Sequence, residues 1–145
     1  MSTEAEAVPD TEIGQLMDRF MRHIHCELGR KAPSFDPDRV GPAGGLVLMT
    51  LADLEPVPLN ELVRFIARDK AQITRLLQSL DRKGLVERSI SPIDGRVCVV
   101  ALSEKGQDTV ARLKLALAET IDGLLTPLNV QERNTLKSLL KRVFE

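Results

Sequence analysis

A mainly α-helical chain with one small β-hairpin is the fold class this sequence predicts. Three observations carry that reading. Apolar residues recur at steps of three and four through most of the chain, the spacing of amphipathic helices. Prolines, glycines and capping residues divide it into six segments of helical length. Between Gly84 and Ser103 the period changes: Leu85 to Ile90 and Val97 to Leu102 are rich in β-branched residues and flank Ser91-Pro92-Ile93-Asp94-Gly95, whose Asp-Gly pair signals a hairpin turn.

Residues 1–10 read as a mobile tail. The first helix runs from Glu12 to Lys31 on Ile13, Leu16, Met17, Phe20, Met21, Ile24 and Leu28, and is expected to stop near Ala32-Pro33, because the residue before a proline avoids the α region. Residues 33–41 read as loop. Pro42 suits the first turn of the second helix, which carries Leu46, Val47, Leu48, Met49 and Leu51 and ends before Pro56. Gly44 and Gly45 should weaken it by ~1 kcal/mol each relative to alanine. Pro58 is expected to open a short third helix with Leu59, Leu62, Val63 and Ile66 inward. Asp69 followed three residues later by Gln72 is a capping-box signal for a fourth helix, which buries Ile73, Leu76, Leu77 and Leu80 and stops at Gly84. After the hairpin, Ser103 caps a long helix to about Leu125, with Val110, Leu113, Leu117, Ile121 and Leu124 on one side. Asn129 and Glu132 restart a last helix to Phe144, carrying Leu136, Leu139, Leu140 and Val143.

Composition excludes several classes. The 145 residues suit one domain or one subunit of a small oligomer, and 43% hydrophobic with 28% charged residues is a globular balance. No apolar run approaches the roughly 20 residues of a bilayer span, so no membrane partner is expected. The acidic, Pro-containing start is unlike a signal peptide. Two cysteines 72 positions apart do not make a disulfide framework. The expected setting is therefore cytoplasmic and reducing. Four Phe with no Trp or Tyr argue against stacking on single-stranded bases. With no Gly-rich phosphate loop, metalloprotease pair or nucleophile–base cluster, neither an enzyme nor a cofactor is expected.

The net charge of −1 hides an uneven distribution. Residues 1–18 carry five acids and no base, whereas residues 64–96 carry eight bases against four acids. A basic stripe on a near-neutral chain is the footprint of a local phosphate contact, although a charged surface helix is often no more than solvated. The order of elements sharpens the choice. Short helix, turn, capped helix and β-hairpin make a winged helix-turn-helix, whose second helix fits the major groove of DNA. Opposite its apolar stripe, that helix shows Lys70, Ala71, Gln72, Thr74, Arg75, Gln78, Ser79 and Arg82. Gln and Arg make bidentate bonds to adenine and guanine, and a Thr methyl touches thymine. Arg96 at the hairpin tip is placed for a minor groove, with Asp94 expected to hold it.

These segments resemble the MarR family (multiple-antibiotic-resistance regulators). The likeness lies in Asp69-Lys70-Ala71-Gln72-Ile73-Thr74-Arg75-Leu76-Leu77, in Leu80-Asp81-Arg82-Lys83-Gly84-Leu85-Val86-Glu87-Arg88, in the wing Ser91-Pro92-Ile93-Asp94-Gly95-Arg96, and in Leu102-Ser103-Glu104-Lys105-Gly106, where the family usually has Leu-Thr-Glu-Lys-Gly. It covers about residues 12–144. It implies a homodimer on a palindromic double-stranded operator, with a helical dimer base built from the N- and C-terminal helices. The expected division is 11–53 and 104–145 for dimerisation and 54–103 for the DNA-binding winged helix-turn-helix. Wide apolar faces on the first and last two helices agree with a dimer. The chain departs from the family at three places: Gly95 replaces one of two wing arginines, Pro58 replaces a capping Ser or Thr, and Gly45 replaces an aromatic. Phe20, Phe35 or Met49 are the expected fillers of the space at Gly45.

The resemblance further implies a repressor released by a small-molecule effector, with Met17, Phe20, Met21, Leu46 and Met49 as candidate pocket residues. A redox-sensing regulator working through Cys26 is an alternative, but Cys26 reads first as an inert buried thiol and Cys98 as a packed wing residue. His23, Cys26 and Glu27 share a helix face, yet zinc wants four ligands, usually from more than one element, so no metal site is expected. A winged-helix protein-interaction module without DNA binding is the other alternative, and the basic exposed face argues against it.

Overall fold

The computed structural model describes residues 8–54, 56–66 and 69–145. Its elements are α1 (Thr11–Phe35), α2 (Gly41–Leu54), β1 (Val57–Pro58), α3 (Leu59–Ile66), α4 (Lys70–Arg82), β2 (Val86–Ile90), β3 (Cys98–Leu102), α5 (Glu104–Leu124) and α6 (Val130–Val143). The fold is mainly α with six helices and a small antiparallel sheet, a winged helix as the sequence pattern predicts. No described helix is long and apolar enough to cross a membrane. The chain divides into two compact units, one from the described part of Met1–Lys31 with Glu119–Glu145, the other from Ala32–Ala118. This division follows packing. The boundaries expected at 53 and 103 separate roles instead.

The sheet has three strands in the order β1-β3-β2, one more than the hairpin expected. Val57 pairs with Val100 and Pro58 with Val99, so Pro58 closes a two-residue strand instead of opening α3. Proline is tolerated there because β1 is an edge strand, where a missing N–H breaks no internal ladder. Two residues are also too few to show alternation.

In the Ala32–Ala118 unit one core joins every element. Val47, Leu48 and Leu51 of α2, Leu62 of α3, Ile73, Leu77 and Leu80 of α4, Leu85, Val86, Val100 and Val110 are all buried. Each such side chain contributes about 1.5–3 kcal/mol relative to exposure. Gly44 has a packing reason. A Cβ there would stand 3.1 Å from Val40 Cβ, closer than ordinary contact, and 3.7 Å from Leu80 Cδ2, so it is the turn into α2 that needs the bare Cα. The neighbour of Gly45 is Leu113, whose Cδ1 lies 3.8 Å from where a Cβ would be. Of the expected fillers, Phe35 and Met49 share this unit and neither takes that place, while Phe20 belongs to the other unit.

α1 runs past its expected end and holds Pro33 inside the helix. In the last turn the missing N–H forfeits one bond, to the Gly29 carbonyl, and the turn still closes through Asp36 N–H on Ala32 O at 2.7 Å. The Asp36 carboxylate then accepts from Val40 N–H (3.0 Å) and Gly41 N–H (3.1 Å), which begins α2. Asn129 and Glu132 form the reciprocal capping box expected for α6.

The junction from α4 to α5 is the tightest place in the chain. Gly84 has φ +75°, Leu85 N–H donates to Leu80 O (3.0 Å) and Gly84 N–H to Asp81 O (2.9 Å), a Schellman closure of α4. Ser103 caps α5 by accepting from Gly106 N–H (3.0 Å) while its hydroxyl donates to Gly84 O (2.5 Å). A Cβ on Gly106 would lie 2.0 Å from Leu85 O, so α5 rests on this carbonyl through a bare Cα. Gly106→Ala is therefore expected to cost roughly 2 kcal/mol or more in urea unfolding. A loss below about 0.5 kcal/mol, within the range of ordinary surface changes, contradicts this packing.

Candidate nucleic-acid interface

The outward face of α4 is fixed by what the helix buries. Ile73, Leu77 and Leu80 point into the core. Lys70, Ala71, Gln72, Arg75, Gln78 and Arg82 are consequently exposed, and Thr74 and Ser79 are half-buried at the edges of the stripe. Asp69 caps the helix by accepting from Ala71 N–H at 3.0 Å, one residue earlier than the capping-box pattern predicts. The Thr74 hydroxyl donates to Lys70 O (2.8 Å) and so serves the helix itself.

The hairpin tip differs from the expected tight Asp-Gly turn. Strands β2 and β3 part after Ile90 and Cys98, and Gly95 lies outside the left-handed region that a type I′ turn requires. The loop closes instead through Ser91 N–H on Val97 O (2.9 Å) and Val97 N–H on Asp94 O (3.0 Å). Ser91 Oγ accepts from Ile93 N–H (3.2 Å) and Asp94 N–H (3.4 Å), and Asp94 Oδ1 accepts from Arg96 N–H (3.1 Å). Asp94 therefore holds the main chain of Arg96 and leaves the guanidinium exposed. These side chain-to-backbone bonds are the turn chemistry of Ser and Asp.

Among the described residues, Lys70, Arg75, Arg82, Arg88 and Arg96 take part in none of the ion pairs, which lie on α1, between α5 and α6, and around Asp38. Among the described residues, α4 and the wing thus carry a set of exposed cations outside any ion pair. Arg88, exposed on β2, was not among the residues singled out from sequence. Its signal is a cation inside the basic stretch on a strand where only Val86 is buried. Ser91 was likewise passed over, though Ser followed by Pro-x-Asp is a turn-forming pattern.

The remaining candidates are dispersed. Met17 and Phe20 help wall an apolar cavity of about 890 Å³ in the terminal unit, together with Leu16, Ile121, Leu125, Leu136, Leu140 and Phe144, and with Arg133, Lys137 and Lys141. Met21 is exposed and absent from that wall. Leu46 and Met49 belong to the other unit, where Leu46 is exposed and Met49 packs against the core. Cys26 is exposed on α1, not buried as expected, because α1 buries no residue at all within this chain. Cys98 is half-buried. Glu27 is engaged by Arg30 at 2.8 Å, a hydrogen bond that holds its carboxyl below the usual carboxylate range. Among the described residues no group of three or more His, Cys, Asp or Glu is placed to hold a metal ion.

A two-helix reader whose second helix shows a polar face, followed by a hairpin with an exposed arginine at its tip, defines a winged helix-turn-helix protein. The model of the MarR family matches residues 43–98. A probable transcriptional regulator from Pseudomonas aeruginosa has a crystal structure that is 32% identical, covering 90% of this chain and 96% of its own, with a TM-score of 0.68. A mutant MarR from E. coli complexed with operator DNA is 26% identical, covering 92% and 94%, with a TM-score of 0.70. An uncharacterized HTH-type transcriptional regulator of Bacillus subtilis, YdgJ, is 27% identical over 97 residues, which is 67% of this chain and 59% of that protein. The chain spans about half the length of the curated relatives it matches. It belongs to the MarR family.

Proposed function

We propose that this chain is a sequence-specific, double-stranded-DNA-binding transcriptional regulator that acts in the cytoplasm as a homodimer. The observation that carries the reading is the exposed polar face of α4, held outward by the burial of Ile73, Leu77 and Leu80 beside a wing whose Arg96 is unpaired. In this reading Gln72, Arg75 and Gln78 read base edges, and Thr74 and Ser79 flank them. Lys70, Ala71 and Arg82 lie along the phosphates, with Arg96 in the minor groove and Asp94 fixing its backbone. The likeness to a MarR structure with operator DNA supports it.

Dimerisation rests on the terminal helices. Neither α1 nor α6 has a buried residue. Leu16, Met17, Met21, Leu139, Leu140 and Phe144 are between 42% and 84% exposed. An apolar surface of that extent on a monomer marks an association site. A second copy is the occupant we favour, which assigns 11–53 and 104–145 to dimerisation and 54–103 to DNA. A two-fold then suits a palindromic operator. Control as a repressor by a small-molecule effector is supported by the family likeness alone.

The DNA reading is tested on a duplex selected from a random library. Arg75→Ala is expected to cost about 1–3 kcal/mol and to relax preference at one base position. Arg96→Ala should weaken all sequences alike and flatten the salt dependence, by about 1 in the log–log slope for one lost phosphate contact. Two variants that bind like the wild type would remove this face from the interface. Sedimentation at micromolar concentration should give twice the chain mass, and a monomer would exclude the dimer.

A further inference from the structure

The C-terminal end of α4 is laced to two other segments of the same unit. Lys105 Nζ, on the first turn of α5, donates to the carbonyl of Lys83 at 3.0 Å and lies 3.3 Å from Asp38 Oδ1. Lys83 Nζ donates in the opposite direction, to the carbonyl of Arg39 at 3.0 Å. Arg112 Nη2 stands 3.9 Å from Asp38 Oδ2, and only 24% of the Asp38 side chain is exposed. Arg39 has φ +54°, a left-handed conformation uncommon for a residue with a Cβ, and its N–H donates to Asp36 O at 3.2 Å.

A helix ends with carbonyls that lack partners and with the negative pole of its dipole, so a cation is favoured there. Lys105 supplies that cation from another helix. An exposed ion pair by itself is worth little. Here the end of α4 is held at two points, its Lys83 carbonyl by the Lys105 ammonium, which Asp38 orients, and its Lys83 ammonium by Arg39 O, so a tilt of α4 breaks both bonds together. Gln78 and Arg82 lie in the second half of α4, where such a tilt displaces side chains most, and Arg75 stands at its middle. Bidentate contact with a base edge tolerates little displacement, whereas contact with phosphates tolerates more.

We infer that Lys105 and Asp38 are positioning residues for the DNA-reading helix, fixing the orientation of α4 on which base selection depends. The inference rests on the proposed DNA reading, and its test separates the two. In the free protein, Lys105→Met is expected to speed amide exchange at Gly84 and Leu85 by about fivefold or more, while exchange at core amides such as Leu77 stays unchanged. Lys105→Arg keeps a donor and should restore protection. On DNA, Lys105→Met should lose about fivefold or more in affinity for the duplex selected by wild type, with less than about twofold change on a mixed-sequence duplex. If Lys105→Met does not fold, Asp38→Asn is read in the same way, with a smaller expected effect because the bond to Lys83 O remains. Wild-type exchange at Gly84 and Leu85 in the variant overturns the inference, as does equal loss on both duplexes. A wild-type protein that selects no sequence overturns the DNA reading, and the exchange measurement still decides the role of Lys105.

Discussion

The carbonyl of Leu85 is the point on which the reading helix, the wing and the long helix α5 are assembled. It accepts the Ser103 N–H at 3.0 Å, and the bare Cα of Gly106 packs against it. Leu85 also closes α4 through its own N–H, and its side chain is buried in the shared core. Three elements therefore meet within a few atoms, at a site that requires two glycines for different reasons. Gly84 supplies a positive φ, and Gly106 supplies absence of a side chain. The face that α4 turns outward follows from this junction together with burial of Ile73 and Leu77.

Much of this was legible in the sequence. The i, i+3, i+4, i+7 stripe of α4, the Asp69 cap and the Gly84 stop are local signals, and the helix forms over Lys70–Arg82 as they predict. The Asn129–Glu132 box is equally local. The features that escaped depend on partners distant in sequence, as with β1 and Gly45, or on side chain-to-backbone bonds that no residue pattern specifies, as at Pro33 and the wing tip. β1 is two residues long and exists because β3 offers an edge. Pro33 sits inside α1 because Asp36 organises the turn beyond it. The tip of the wing is set by Ser91 and Asp94 bonding to backbone, which overrides the turn that the Asp-Gly pair suggests. Gly45 faces Leu113, 68 positions away along the chain. The outward residues of α4 were legible because burial of one face determines the other. Arg88 was missed because a five-residue strand with one buried position shows too little alternation to assign a face.

Charge and apolar surface divide the labour along this chain. A net charge of −1 coexists with a middle third in which, among the described residues, Lys70, Arg75, Arg82, Arg88 and Arg96 join no ion pair, while ion pairs are formed on α1, between Asp122 and Arg133, and around Asp38. Local excess of positive charge, rather than net charge, decides whether a surface attracts phosphate. The terminal helices behave in the opposite way. They expose leucine, methionine and phenylalanine and have no fully buried residue, so their stability depends on a further surface. The proposed dimer would satisfy that need and set two copies of α4 on one duplex.

The central claim is that two α4 helices enter successive major grooves, and methylation interference at guanine N7 on a library-selected duplex tests it most directly. The account predicts two tracts of interference centred about 10–10.5 base pairs apart, or a multiple of that, on one face of the DNA. A single tract, or interference confined to adenine N3 in the minor groove, would contradict it.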